Sequence, residues 1–382
     1  MPDRSRPVLF RVPGMIMGTA LIAWLWASMA LSGDPKPVAG SGGRLVRFEF
    51  EETHMASPFH LVLYSTDAAT ARRASRAAFD RIAALNAVFS DYDPESELSR
   101  LSRGAGGPPV RVSADLFDVL QRSKRMWERS AGAFDVTIAP VGRLWRRARR
   151  DRKLPDPRRI AEARRLVGSD KMVLDPTART VRLLEPGMKL DAGGIAKGYA
   201  AQAALEVLKA EGITRALVAG AGDIVAGDPP PDADGWTIAI APLDPQRGDR
   251  PPTLLLKNAA VSTAGDAERF VVIDGHRYSH IINPATGLGH EDRASVTVVA
   301  PDGATADVLE TTVYLLGPER GLKLVDETPG AAALFLRLTP DGVKTYESSR
   351  FQDVPKVRSA EAEPRRLMRA FTRSDDYAVS TM

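Results

Sequence analysis

The chain has 382 residues, 44% hydrophobic and 26% charged, with 31 glycines and 28 prolines, which excludes a wholly disordered, collagenous or coiled-coil protein. It contains no cysteine, so disulfides, thiolate zinc sites, iron–sulfur clusters, cysteine nucleophiles and a lipid-modified N-terminal cysteine are excluded, and five histidines leave little for a histidine-rich metal centre. Fifty-two Lys+Arg against 48 Asp+Glu give a formal charge of +4, a mildly cationic surface rather than that of a dedicated nucleic-acid binder.

Arg4, Arg6 and Arg11 precede an uncharged stretch that runs from Val12 to Gly33, so residues 1–33 read as an export signal. The stretch is about long enough to cross a bilayer, and an uncleaved anchor competes with cleavage after Ala30 or Ser32. Residues 34–44, rich in Pro and Gly, form a linker, and folded sequence is expected over 45–346. Strands are expected at Val46 to Phe50 and His60 to Tyr64, then an amphipathic helix over Ala68 to Val88. Further helices are expected over Ala114 to Arg129, after Pro157, and from Gly194 to a stop at Gly212.

Short β-rich runs follow at Ala216 to Val218, Trp236 to Ile240, Phe270 to Ile273, Tyr278 to Ile282 and Ser295 to Val299, with a helix over Ala306 to Leu316. Helices and strands mix without a regular βαβ period, which makes the fold class α+β. Residues 347–382 are charged and poor in aliphatic runs, as expected of a partly ordered or disordered tail. The basic run Arg143 to Arg152 lacks interleaved aromatics and reads as a solvated face.

Five blocks carry chemistry. The first, Phe89 to Leu101, is a helix end and capped turn around Ser90, Asp91 and Tyr92. The second, Gly132-Ala133-Phe134-Asp135-Val136-Thr137, sets small residues beside an aromatic, which suits a flat ligand and equally a tight turn. The third, Leu190-Asp191-Ala192-Gly193-Gly194-Ile195-Ala196-Lys197, places a glycine pair before a helix and a lysine one turn inside it, which lets backbone N–H groups and a cation approach phosphate oxygens. It matches neither the P-loop nor the dinucleotide fingerprint.

The fourth block is a glycine-rich turn, Gly220-Ala221-Gly222-Asp223. The fifth spans Ser262 to Gly265, Arg269, Tyr278-Ser279-His280-Ile281-Ile282-Asn283-Pro284 and Ala306-Asp307-Val308-Leu309-Glu310-Thr311. Asp307 and Thr311, four apart on a helix, present a carboxylate and a hydroxyl to one hard cation, and Mg²⁺ accepts so few protein ligands because it keeps waters and borrows substrate phosphates. A helix cap at Asp307 is the plainer reading. His280 is the best candidate general base, since a neutral imidazole titrates near the working pH.

In order and spacing these strings resemble the FAD:protein FMN transferases, the ApbE family, over about Met55 to Leu338. The resemblance implies an α+β fold particular to that family and Mg²⁺-dependent transfer of FMN from FAD to a threonine of another exported protein, with release of AMP. It implies an acceptor flavoprotein as partner; the N-terminal segment adds a periplasmic location, with inner-membrane attachment if that segment is retained, and the basic run gives no reason to expect nucleic acid. By position Met55, Tyr92, Ala133, Phe134, Asp135, Asp191, Lys197 and Ile281 would contact FAD, with Asp223, Arg269 and His280 in the same ligand set. The Gly194 carbonyl, Asp307 and Thr311 would hold the metal, and His280 and Lys197 would be catalytic. The chain departs from the family pattern at Ala56, Ser102, Ala221 and above all Asn283, where the family has an Asp. Two other readings stay open: an FAD hydrolase, in which water replaces the threonine at the same residues, and a non-catalytic flavin carrier, which Asn283 and the altered first motif keep open.

Overall fold

The structure is a computed structural model that describes residues 44–244, 251–265 and 270–357. The expected signal or anchor, nearly all of the linker, the last part of the tail and Arg269 lie outside the described residues. Among the described residues no helix is long and apolar enough to cross a membrane.

The chain begins with a hairpin of β1 (Val46–His54) and β2 (Ser57–Ser65), followed by α1 (Ala68–Phe89) and α2 (Glu97–Arg103). Strand β3 (Val110–Arg111), α3 (Ala114–Arg129), α4 (Ala139–Asp151), α5 (Pro157–Arg164), β4 (Met172–Asp175) and β5 (Thr180–Leu183) come next. Then α6 (Ala196–Ala210) leads into β6 (Ala216–Gly220), β7 (Asp223–Ala226), β8 (Trp236–Ala239), β9 (Thr253–Leu256) and β10 (Ala259–Gly265). The last part holds β11 (Phe270–Ile273), β12 (His276–Ser279), β13 (Ile282–Asn283), β14 (Leu288–Gly289), β15 (Ala294–Ala300), α7 (Gly303–Asp326), β16 (Ala332–Thr339) and β17 (Gly342–Glu347).

One eight-stranded sheet, in the order β1-β2-β6-β7-β10-β15-β16-β17, organises these elements. Its neighbours all pair antiparallel. The central strands are buried on both faces: β15 exposes none of its seven residues. One face packs on α1, α6 and α7 through Leu61, Leu63, Ile82, Leu205, Val296 and Leu309. The other is covered by the β8–β9 hairpin through Trp236, Ile238, Leu254 and Leu256. The ordered chain runs past the boundary expected at residue 347. Phe351 is fully buried against that second face. Leu255 N donates to Pro355 O at 2.9 Å and Val357 N to Thr253 O at 2.9 Å, which pairs this stretch with β9.

Two expected elements break where glycine or a local hydrogen bond intervenes. The helix expected to stop at Leu316 does lose helical geometry at Gly317, with φ 76°, and Pro318 restarts it. The strand expected over Tyr278 to Ile282 is interrupted at His280 and Ile281, because the Ser279 hydroxyl takes the Ile281 N–H at 3.1 Å.

Helix α6 carries an unusually slim face. Ala196, Gly198, Ala200, Ala201 and Ala204 are buried along it, so its backbone lies close to α7. A Cβ on Gly198 would overlap Gly303 O and come within 2.7 Å of Asp307 Cβ, and one on Gly303 would overlap Gly198 O. The contact is therefore backbone to backbone, and α7 cannot retreat without opening the core. Gly198→Ala is expected to cost several kcal/mol of stability, at or above the usual ~1–3 kcal/mol of core overpacking, because the obstacle is a carbonyl that no rotamer change can move. A chemical-denaturation curve checks this; a midpoint within error of the wild type would show that the helices slide apart freely.

Candidate active site

The chemistry-bearing blocks converge on a cleft of about 780 Å³. One wall is the β1–β2 turn, where Met55 and Ala56 both adopt positive φ, 50° and 56°. Only glycine takes that conformation without steric cost, so Ala56 holds a strained turn at the cleft edge. Ser90 ends α1 and its hydroxyl accepts from Tyr92 N at 3.3 Å and Asp93 N at 3.1 Å, leaving Tyr92 75% exposed at the mouth. Ala133 and Phe134 follow the end of α3, where Ala131 and Gly132 take φ of 53° and 82°. His280 and Ile281 face the same cleft from the break between β12 and β13.

Asp135 borders the cleft, yet its carboxylate is spent on the protein. It accepts from Thr137 N at 2.9 Å, Thr137 Oγ1 at 2.7 Å, Ser169 Oγ at 2.8 Å and Ser169 N at 3.2 Å. Burial pushes its pKa up against those hydrogen bonds. Its structural work is to fasten the Ala133–Phe134 turn. Asn283 is likewise a turn residue: its side-chain oxygen accepts from Ala285 N at 2.9 Å, a bond that an Asp would also make.

The third block supplies the polar end. Asp191 N donates to Val136 O at 2.8 Å, which ties this block to the second, and Asp191 Oδ1 accepts from Gly193 N at 2.9 Å. Helix α6 starts at Ile195 with no side-chain cap of its own. Its third turn-opening N–H, Gly198 N, is capped instead from the neighbouring helix, by Asp307 Oδ2 at 2.9 Å. Lys197 projects from the same turn, with Nζ 3.4 Å from Asp223 Oδ2. Asp223 lies opposite Ser262 in the β7–β10 register and accepts from its hydroxyl at 2.6 Å.

Asp307 is thus a cap, but only with one oxygen. The residue is 1% exposed, and its Oδ1 is buried with no hydrogen-bond partner among the described residues. Glu310, 7% exposed, is in the same position: Oε1 accepts from Thr311 Oγ1 at 3.0 Å, and Oε2 has no partner. Burial, and then Asp223, pushes the Asp307 pKa up to about 7. Burial, then Asp307 and Asp223, pushes Glu310 well above the usual carboxylate range. Three acids face one lysine, an imbalance that a cation would correct.

The geometry suits a small hard ion. A Cβ at Gly194 would lie 3.3 Å from Thr311 Oγ1, so the Gly194 backbone and the Thr311 hydroxyl are neighbours, one turn of α7 from Asp307. Among the described residues no group of three His, Asp or Glu is placed to hold a metal ion by itself. A carboxylate, a hydroxyl and a carbonyl, completed by waters and ligand phosphates, match what Mg²⁺ accepts and do not match zinc.

The cleft also holds a group that the sequence assigned to a solvated face. Arg147 and Arg150 of α4 are exposed, but Arg146 turns into the cleft beside the buried Trp145. Its guanidinium lies 2.8 Å from Asp91 Oδ2 and 3.6 Å from Asp191 Oδ2, and 4.9 Å from the Tyr92 ring centroid. Burial and Asp191 raise the Asp91 pKa, and Arg146 opposes them. The periodicity of Val141, Trp145 and Ala148 would have shown that α4 buries one side, with Arg146 at its border. Glu310 was also missed, although it stands three residues from Asp307 on the same helix face.

A profile of the ApbE family matches residues 55–335. The chain belongs to the ApbE family. It is 36% identical over 265 residues to a FAD:protein FMN transferase of Treponema pallidum (strain Nichols), covering 65% of this chain and 73% of the relative. It is 32% identical over 282 residues to one of Haemophilus influenzae, covering 72% and 81%. Among solved structures it resembles the flavin transferase ApbE from Vibrio cholerae, with a TM-score of 0.73, 27% identity, and coverage of 81% of this chain and 100% of that one. The apo form of the Pseudomonas stutzeri flavinyl transferase ApbE gives 0.72 and 28%, with coverage of 81% and 97%. The ApbE-like α+β fold expected from the motifs is thereby established.

Of the residues assigned from the ApbE motifs, Met55, Tyr92, Ala133, Phe134, Asp135, Asp191, Gly194, Lys197, His280, Ile281 and Thr311 border the one cleft. Asp223 and Asp307 stand behind Lys197 at its floor.

The raised Asp307 pKa carries a sign that can be tested without turnover. A carboxylate whose folded pKa lies above its unfolded value stabilises the protonated fold, so stability falls as pH rises from about 4 to about 7. Asn at 307 keeps an acceptor for Gly198 N–H and removes the charge. In chelator, Asp307→Asn should therefore gain stability relative to wild type between pH 5 and pH 8, followed by thermal melts at each pH. A difference that does not change with pH would place the Asp307 pKa near that of a solvated carboxylate.

Proposed function

We propose that this chain transfers the FMN half of FAD to a threonine hydroxyl of an acceptor protein and releases AMP. The observation that carries the reading is the juxtaposition, in one cleft, of Lys197 at the start of α6, the Gly194 backbone and Thr311, with the half-unpaired Asp307 buried behind them. The names of the T. pallidum and H. influenzae relatives support it. The basic, uncharged-core N-terminal segment supports action outside the cytoplasm on an exported acceptor, with or without retention at the inner membrane.

In this reaction the threonine oxygen forms a bond to the phosphorus on the FMN side of the pyrophosphate. The bond from that phosphorus to the bridging oxygen breaks, and its electron pair leaves with AMP. His280 takes the hydroxyl proton, and Lys197 with the first N–H groups of α6 faces the phosphate oxygens. Asp307, Thr311 and the Gly194 carbonyl would hold Mg²⁺, which when bound supplies positive charge against that developing on the phosphates. Phe134 and Tyr92 give the flavin or adenine ring apolar faces, and the Asp135 bonds keep Phe134 in place.

The test is incubation with FAD and Mg²⁺, with and without a candidate acceptor, followed by mass spectrometry. An acceptor heavier by one FMN supports transfer; free FMN without acceptor labelling would make the protein a hydrolase, and unchanged FAD a carrier. His280→Ala should lower the rate about 10²- to 10⁴-fold with FAD binding largely kept. Asp307→Ala should abolish transfer, whereas Thr311→Ala should recover in part at raised Mg²⁺, because water can replace a neutral ligand but not a charge. Full activity of folded Asp307→Ala would remove the metal site.

A further inference from the structure

The helix itself provides the comparison that exposes the role of Glu310. A threonine inside a helix ordinarily donates its hydroxyl proton to the carbonyl four residues back. Two threonines of this chain do so on α7 or just past its end: Thr312 Oγ1 donates to Val308 O at 2.5 Å and Thr328 Oγ1 to Leu324 O at 2.8 Å. Thr311 does not. Its hydroxyl turns away from the Asp307 carbonyl and donates to Glu310 Oε1 at 3.0 Å.

That choice is unusual because of where Glu310 lies. It is 7% exposed, it faces a region that already holds Asp307 and Asp223, and its second oxygen has no partner. A buried carboxylate in such company costs stability, and an apolar residue of the same size would fit the helix face at less cost. A hydroxyl has one proton to give and two lone pairs. When the proton points at Glu310, the lone pairs are left for other partners, and Gly194 is close at hand: a Cβ on it would lie 3.3 Å from Thr311 Oγ1.

We infer that Glu310 is a positioning residue of the cation site: it takes the Thr311 hydroxyl proton and so holds a Thr311 lone pair toward Gly194 and Asp307. The inference rests on the reading of that space as the Mg²⁺ site. Neutral oxygen ligands are weak, and a fixed orientation is what makes one effective; partners that orient a ligand in this way typically alter metal affinity 10- to 100-fold. Without Glu310 the Thr311 proton has the Asp307 carbonyl as its next acceptor, which would swing the hydroxyl along the helix.

Mn²⁺ serves as the probe, since it shares the preference of Mg²⁺ for oxygen ligands and the free ion is read directly by electron paramagnetic resonance. Full-length wild type, Glu310→Met, Glu310→Gln, Thr311→Val and Thr311→Val/Glu310→Met are titrated, with thermal melts to confirm folding. Methionine keeps the volume and removes the acceptor; glutamine keeps an acceptor oxygen and removes the charge. Glu310→Met should weaken Mn²⁺ binding at least about tenfold, and Glu310→Gln should retain most of the wild-type affinity. In the Thr311→Val background Glu310→Met should weaken binding no further, because the two residues act as one unit.

Three results would overturn the positioning role while leaving the site itself intact: wild-type affinity in Glu310→Met, an equal loss in Glu310→Gln, or the same loss with and without Thr311. Wild type that binds no Mn²⁺ would overturn the cation-site reading on which the inference rests.

Discussion

The backbone contact between α6 and α7 at Gly198 and Gly303 is the constraint on which the site depends. Neither position has room for a Cβ, and the closeness lets Asp307 reach across to cap the first turn of α6. One carboxylate thereby does two jobs. Its Oδ2 completes the helix end that carries Lys197, and its Oδ1 is left buried with no partner among the described residues, one turn of α7 from Thr311. The positive end of α6, the lysine and the acid cluster are held at fixed separation by main-chain packing, with no need for a long side chain to find its place.

The sheet sets the other coordinates. Asp223 reaches Lys197 because it faces Ser262 in the β7–β10 register, and a one-residue slip would turn it to the opposite face. Elsewhere on the cleft wall, Arg146 links α4 to the Asp91 and Asp191 loops and lies over Tyr92. Two groupings differ in kind: Asp307, Glu310 and Asp223 gather around Lys197, while Arg146 and the exposed Tyr92 present a guanidinium and an aromatic ring. A dinucleotide with a pyrophosphate between two ring systems matches that polarity.

The fold class and most of the site were legible in the sequence, because the motif blocks sit at element ends where glycine and capping residues leave plain marks. Helix α3 spans Ala114–Arg129, the bounds expected for it. The strands β7, β10, β16 and β17 were not read, since β10 and β16 are largely buried on both faces and show no alternation, and β7 and β17 are short or polar. Arg146 was lost among the arginines around it, which differ from it only in the side of α4 they occupy. Glu310 was hidden for a different reason: a buried, half-paired carboxylate contradicts every local preference, and only the packing of α7 shows that it is buried. Asp135 entered the ligand set through the family motif, and its four hydrogen bonds within the protein, invisible in the sequence, show that it also braces the Ala133–Phe134 turn.

The most direct test of this account is the position of a heavy divalent ion. Crystals of the wild-type protein soaked in Mn²⁺ and measured at its absorption edge should give an anomalous peak bounded by Gly194 O, Asp307 Oδ1 and Thr311 Oγ1, with Lys197 still on Asp223. A peak placed instead at Asp91 and Asp191, or an empty Asp307 site at saturating Mn²⁺, would contradict the claim that the α6–α7 contact builds a cation site.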